Sequence, residues 1–128
     1  MSKKIQLHYF EDEDELYRNA AEIIENELDA QEKVVGLATG ETMISLYKKI
    51  KDRPINFTNV ISFNLDEYIG LPPEHPNNYS HFMHENLFQY KKFKKNYIPN
   101  GNVVNLPRET ALYESLIKIH PIDLQILG

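Results

Sequence analysis

The chain has 128 residues, enough for one domain (residues 1–128) whose folding buries about two thirds of the unfolded surface. Apolar residues make up 41% and charged ones 26%, which excludes wholesale disorder; 14 basic against 19 acidic residues give a net charge of −5, the wrong sign for a general nucleic-acid binder. The absence of cysteine excludes disulfides, thiolate zinc sites and cysteine nucleophiles, and with neither a spanning-length apolar stretch nor a secretory signal in MSKKIQLHYFEDEDE, a cytoplasmic place without membrane contact is expected.

KIQLHYF (4–10) alternates polar and apolar side chains and predicts a strand with one covered face. EDEDELYRNAAEIIENELDA (11–30) carries Leu16, Ala20, Ile23, Ile24 and Leu28 at helical spacing, with its acids crowded where the positive end of the helix dipole favours them. VVGLAT (34–39) is a short apolar run and predicts a buried strand; ETMISLYKKIK (41–51) returns to helical spacing. VISFNL (60–65) predicts a second buried strand, followed by a loop broken by Pro72, Pro73 and Pro76 and a helix from about Asn78 to Phe88. The stretch 89–108 reads as connection with a short strand at NVVNL, then ETALYESLIKI (109–119) as a helix and IDLQIL (122–127) as a last strand. Strands alternating with helices predict an α/β class: a Rossmann-like layered parallel sheet with helices on both faces. The last strand ends where a functional loop would begin, so the sheet is expected to be incomplete at its C-terminal end.

Two strand exits can carry chemistry. In VVGLATGETMISLY, Thr39-Gly40-Glu41-Thr42 lies between a buried strand and a helix start, where free N–H groups and the dipole favour an anion. Gly40 permits close backbone approach, Thr39 and Thr42 add hydroxyls, and a phosphate suits such a turn; Thr39 as an ordinary helix cap is the competing reading. Glu41 opposes a dianion unless its side chain turns away. The pattern is neither a Walker A loop nor GxGxxG, so no nucleotide is indicated.

The second exit is FNLDEYIGLPPEHPNNYSHFM (63–83). Asp66 and Glu67 are adjacent at a strand end, so their side chains diverge and one of them faces the crevice; burial among Leu65, Tyr68 and Ile69 would raise its pKa and suit it as a general base. A helix-capping or turn-forming acid is the alternative. His81 and His84 share a helix face without a third ligand, so no metal is expected; His75 borders the crevice or stabilises its turn, and His8 and His120 read as structural. KKFKK (91–95), between Tyr90 and Tyr97, reads as a solvated connection with inward aromatics rather than an RNA strip, since no RNA-binding motif accompanies it.

Strand-GLATGxT followed by FNLDEYIGLPxEHPxxYxxFM resembles the glucosamine-6-phosphate deaminase (isomerase) family, over about residues 34–128. The resemblance implies an enzyme of amino-sugar catabolism, with hydrolase and isomerase chemistry, converting glucosamine 6-phosphate and water into fructose 6-phosphate and ammonia without a cofactor. It implies that Asp66 moves a proton between C2 and C1 of the open-chain sugar, that Thr39, Gly40, Glu41 and Thr42 hold the phosphate, and that Glu67 and Tyr68 help to form the pocket. The chain departs from the family at Glu41, where a small residue is usual, and at Met43, where proline is frequent. It is shorter between VVNL and ETALYESL, and no NGHI-type box follows ILG. The expectation is a partial deaminase, inactive alone. The alternatives are a 6-phosphogluconolactonase-like hydrolase and a non-catalytic sugar-phosphate-binding module. Unpaired edge strands leave homo-oligomerisation open.

Overall fold

A computed structural model describes residues 4–128. In chain order they form α1 (Glu13–Leu28), β1 (Val34–Leu37), α2 (Glu41–Lys51), β2 (Ile61–Asn64), α3 (Tyr79–Met83) continuing into a π-helical turn (His84–Phe88), β3 (Lys95–Tyr97), α4 (Leu106–Ile119) and β4 (Leu124–Gln125). All strand pairs are parallel, in the order β3-β2-β1-β4. The chain steps outward from β1 through β2 to β3, then returns across the sheet to place β4 on the other side of β1. Such a turn-back marks the place where α/β sheets open a crevice beyond the carboxyl ends of their strands.

Strand alternation sorts the helices onto two faces. Val35 pairs with Ser62 and Leu124 in one row, and Gly36 pairs with Phe63 and Gln125 in the next, whose side chains point the opposite way. Val35 and Leu37 join Ala21, Ile24 and Leu28 of α1 and Met43, Leu46, Tyr47 and Ile50 of α2 in one core, extended by Met83 and Leu87. On the other face Phe63 stacks on Tyr97 at 4.8 Å between ring centroids and meets Tyr113 of α4 edge-on at 5.7 Å. Helix α4 has no buried residue; its Tyr113 hydroxyl donates to the Asn64 carbonyl at 2.6 Å and to that of Tyr97 at 3.1 Å.

The helix starts follow from their caps. Asp12 accepts from the Asp14 amide at 2.9 Å and opens α1, with Glu13, Asp14 and Glu15 in the favourable first turn. Asn105 accepts from the Arg108 amide at 3.0 Å and Pro107 follows, so α4 begins three residues earlier than its apolar spacing predicts.

Two expected strands are absent. Residues 4–10 lack regular structure, and Ile5, Leu7 and Tyr9 are between 87% and 93% exposed. Alternation shows that a segment can cover a sheet face, but a strand also needs a neighbour's N–H and C=O groups, and among the described residues none runs beside this one. NVVNL is a turn leading into α4; the strand of this region is β3, which starts at Lys95, the last residue of the lysine-rich run. There Phe93 is buried and stacks on Phe57 at 4.6 Å, while the Lys91 ammonium donates to the Arg53 carbonyl at 2.5 Å. Among the described residues no helix is long and apolar enough to cross a membrane.

Candidate functional site

Beyond the carboxyl ends of β2, β1 and β4 lies a pocket of about 440 Å³ lined by Ala38, Thr39, Gly40, Thr42, Leu65, Asp66, Tyr79, Leu127 and Gly128. The two strand exits singled out in the sequence therefore meet. Asp66 and the turn around Gly40 face one hollow, of a size suited to a small ligand.

The turn is built for close approach. Gly40 is the N-cap of α2 with φ +110° and ψ 168°, a backbone region essentially closed to residues with a Cβ. The Gly40 carbonyl accepts from the Met43 and Ile44 amides at 3.0 and 3.2 Å, and no side chain caps the amides at the start of the helix. Thr39 is therefore not the helix cap; it lines the pocket. The turn is fixed from below by Tyr47, whose buried hydroxyl donates to the Ala38 carbonyl at 2.5 Å. Glu41 is exposed and is not among the lining residues, so its side chain lies outside the pocket, as a phosphate in the turn would require.

Asp66 and Glu67 lie on the loop two and three residues beyond the end of β2, and they do different things. Asp66 faces the pocket. The Glu67 carboxylate turns to α3: one oxygen accepts from the Tyr68 and Tyr79 amides, both at 2.8 Å, and the other from the Ser80 amide at 2.9 Å. Glu67 thus meets the helix-capping, turn-forming reading of the acid pair, and Asp66 is the acid that faces the crevice. The apolar enclosure expected around Asp66 is not formed, because Asp66 itself is exposed, as are Leu65, Tyr68 and Ile69. Those side chains lie on a loop beyond the sheet, where a local apolar sequence has no packed layer to enter. Tyr68 does not line the pocket either; its ring lies 4.9 Å from that of Tyr79 and supports it from outside.

Tyr79 is the site residue that reading the sequence missed, although it is the first tyrosine of the YxxFM portion of the block. The Tyr68 phenol beside it raises its pKa above the ordinary tyrosine value, the Thr39 hydroxyl works the other way, and the Asp66 carboxylate adds to the rise. Tyr79 is thus a neutral hydroxyl donor at neutral pH.

A larger hollow of about 480 Å³ shares Leu65 and Asp66 but extends towards Ile69, Pro99 and α4. Its charged lining residues are Asp66, Glu67, Glu109 and Glu114, with no lysine or arginine, so it repels an anion. The smaller pocket has Asp66 as its single charged side chain and an uncapped helix start to offset it. Among the described residues, no three His, Asp or Glu side chains are grouped to hold a metal ion.

No protein-family model matches the chain. A glucosamine-6-phosphate deaminase of Streptococcus uberis is 53% identical over 96 residues, which cover 75% of this chain and 41% of that enzyme. One of Lactobacillus delbrueckii subsp. bulgaricus is 40% identical over 114 residues, 89% of this chain and 49% of the relative. Over those residues the chain is a homologue of the glucosamine-6-phosphate deaminases. It spans about half the length of the curated relatives that it matches. The solved structure of a monomeric glucosamine-6-phosphate deaminase superposes with a TM-score of 0.78 at 34% identity, over 84% of this chain and 48% of that one. A 6-phosphogluconolactonase from Shewanella baltica superposes nearly as well, with a TM-score of 0.77, but at 16% identity over 93% of this chain and 54% of that one. The lactonase likeness shows a shared fold; the sequence likeness belongs to the deaminases.

Proposed function

We propose that this chain supplies the phosphate-holding turn and the proton-transfer base of a glucosamine-6-phosphate deaminase. The observation that carries the reading is the single pocket shared by Asp66 and the Gly40 turn. The substrate is a small phosphorylated amino sugar, glucosamine 6-phosphate, and the reaction takes it with water to fructose 6-phosphate and ammonia in the cytoplasm.

The open-chain sugar carries its reacting carbons at one end and its phosphate at the other. The phosphate accepts from the free amides at the start of α2 and from the hydroxyls of Thr39 and Thr42, where the dipole favours negative charge. Glu41 stays outside, so its carboxylate does not face the dianion. Asp66, across the pocket, takes the proton from C2 while O1 gains one from water, leaving an enolamine whose C1=C2 electrons form the new C1–H bond when Asp66 returns the proton to C1 and the nitrogen lone pair moves in towards C2. That step places the C=N bond at C2, where water replaces the nitrogen and ammonia departs. Asp66 is exposed in the ligand-free pocket, and its carboxylate acts on C2 once the ligand closes over it and brings that carbon within hydrogen-bond reach. Tyr79 offers a hydroxyl donor to the sugar oxygens between the two ends. The NGHI-type box, which the resemblance assigns to ring opening, is not among these 128 residues. The chain alone is therefore expected to bind the sugar phosphate without releasing ammonia.

Amide-resolved NMR titration with glucosamine 6-phosphate tests this. The expected result is saturable shifts at Gly40, Glu41 and Thr42 together with Leu65 and Asp66. Shifts confined to Glu109, Tyr113 and Glu114, or no binding at all, would refute the assignment. Ammonia release that disappears in Asp66→Asn would support the base and overturn the expectation of inactivity.

A further inference from the structure

We propose that Glu67 is a positioning residue of the site: its carboxylate fastens the loop carrying Asp66 to the helix carrying Tyr79 and holds both against the Gly40 turn. The proposal rests on the reading of the pocket as the site, but its structural core can be tested without a ligand.

Three backbone amides converge on this one side chain, from Tyr68, Tyr79 and Ser80, and the Ser80 hydroxyl approaches at 3.4 Å. Hydrogen bonds onto an ionised acceptor are stronger than neutral ones, and none of the ion pairs among the described residues includes Glu67, so these donors carry its charge. Capping alone does not account for the arrangement. Asn78 already caps α3, accepting from the Ser80 amide at 2.9 Å and the His81 amide at 3.3 Å. What Glu67 adds is a tie across twelve and thirteen residues of chain, between two segments that otherwise meet through the tilted Tyr68 and Tyr79 rings and a long bond from the Asn78 side-chain amide to the Leu71 carbonyl at 3.5 Å.

The tie also bears on Asp66. Asp66 and Glu67 are adjacent on one loop, so anchoring Glu67 to α3 also fixes the backbone from which Asp66 reaches the pocket. The loop is pinned at its two ends by the Leu65 amide on the Leu37 carbonyl at 3.2 Å and the Gly70 amide on the Gly101 carbonyl at 2.9 Å. Neither of these reaches Tyr79, whose ring borders the pocket beside Thr39.

The test compares Glu67→Ala, Glu67→Gln and Asn78→Ala in the 128-residue chain by NMR. Glu67→Ala is expected to abolish the nuclear Overhauser contact between the Tyr79 ring and the Thr39 methyl group. It should also speed amide exchange at Tyr79 by on the order of tenfold, with exchange in α1, β1 and β2 unchanged. Glu67→Gln keeps one oxygen for Tyr68 and Tyr79 and is expected to retain a weakened contact; it carries the test if the alanine variant does not fold. Asn78→Ala should loosen His81 while preserving the Tyr79 contact. A full-strength contact in Glu67→Ala or, where that variant does not fold, in Glu67→Gln overturns the proposal. So do indistinguishable effects of Glu67→Ala and Asn78→Ala, which would mean mere capping. Titration with inorganic phosphate separates the two readings. No binding by the unmutated chain counts against the site and leaves the tie to be judged on the Tyr79 contact.

Discussion

Replacing Gly40 by alanine isolates the cost of the turn that faces the pocket. A Cβ built there meets nothing within 4 Å, so the substitution brings no clash. What it brings is a φ of +110° with ψ 168°, a conformation that costs a residue with a side chain about 1–3 kcal/mol. At about 2.1 cal/mol/K per residue, 128 residues have an unfolding entropy of roughly 0.27 kcal/mol/K, so that cost lowers Tm by roughly 4–11 °C. If the turn relaxes instead, the stability loss shrinks but the Glu41 and Thr42 amides rotate away and phosphate binding suffers. The assay is urea unfolding followed by far-UV circular dichroism, with a phosphate titration on the same samples. A D-alanine at position 40, installed by chemical ligation, has the same volume and the opposite backbone preference, and is expected to stay within about 0.5 kcal/mol of the parent. Gly40→Ala with both stability and phosphate affinity unchanged would refute the reasoning.

Gly101 is a contrasting case: a Cβ there would lie 1.9 Å from the Tyr68 carbonyl oxygen, a backbone atom that cannot swing aside, so Gly101→Ala should displace the 66–70 loop and destabilise more than Gly40→Ala, seen as lost exchange protection of the Gly70 amide. Tyr47→Phe strands the buried Ala38 carbonyl and should cost about 1–3 kcal/mol in urea unfolding. Burial holds the Tyr47 phenol well above the ordinary value of 10.0, so its neutral form contributes fully below pH 10 and progressively less as pH rises towards the folded-state value; the phenylalanine variant should show a shallower alkaline loss of stability. Lys49, followed by Arg18, holds the Asp14 carboxyl below its ordinary 3.8, so that contribution is present above pH 3.8 and lost as pH falls through the lowered value. Carbon-13 NMR should show the Asp14 titration moving up in Lys49→Ala, and to a lesser degree in 0.5 M salt.

Much of this architecture was legible because buried strands and amphipathic helices leave strong periodic signals. VVGLAT and VISFNL were placed to within a residue or two, and so were the two loops that leave them. The failures have separate causes. KIQLHYF alternates correctly but has no neighbouring strand among the described residues, which no local pattern can report. Strand β3 was hidden because it lies at the sheet edge, where lysines are tolerated and discourage further pairing. Position after a buried strand points to the acid pair and the family resemblance picks Asp66 from it, while the task of Glu67 is not legible, since its partners Tyr79 and Ser80 come from a helix reached only after a proline-rich loop. Tyr79 stood within the same diagnostic block and went unselected for the same reason. Its position in the pocket depends on how the chain returns after Pro76.

Helix α4 has a physical consequence for the site. With no side chain fully withdrawn from solvent, and with the Tyr113 phenol bonded to two strand carbonyls, it is held to the sheet by less burial than α1 or α2 and is expected to open more readily than they do. Each such excursion releases the carbonyl of Asn64, two residues ahead of Asp66, and bares the ring of Phe63. The steadiness of the proposed base is thus set in part by a helix that contributes nothing to the pocket it steadies.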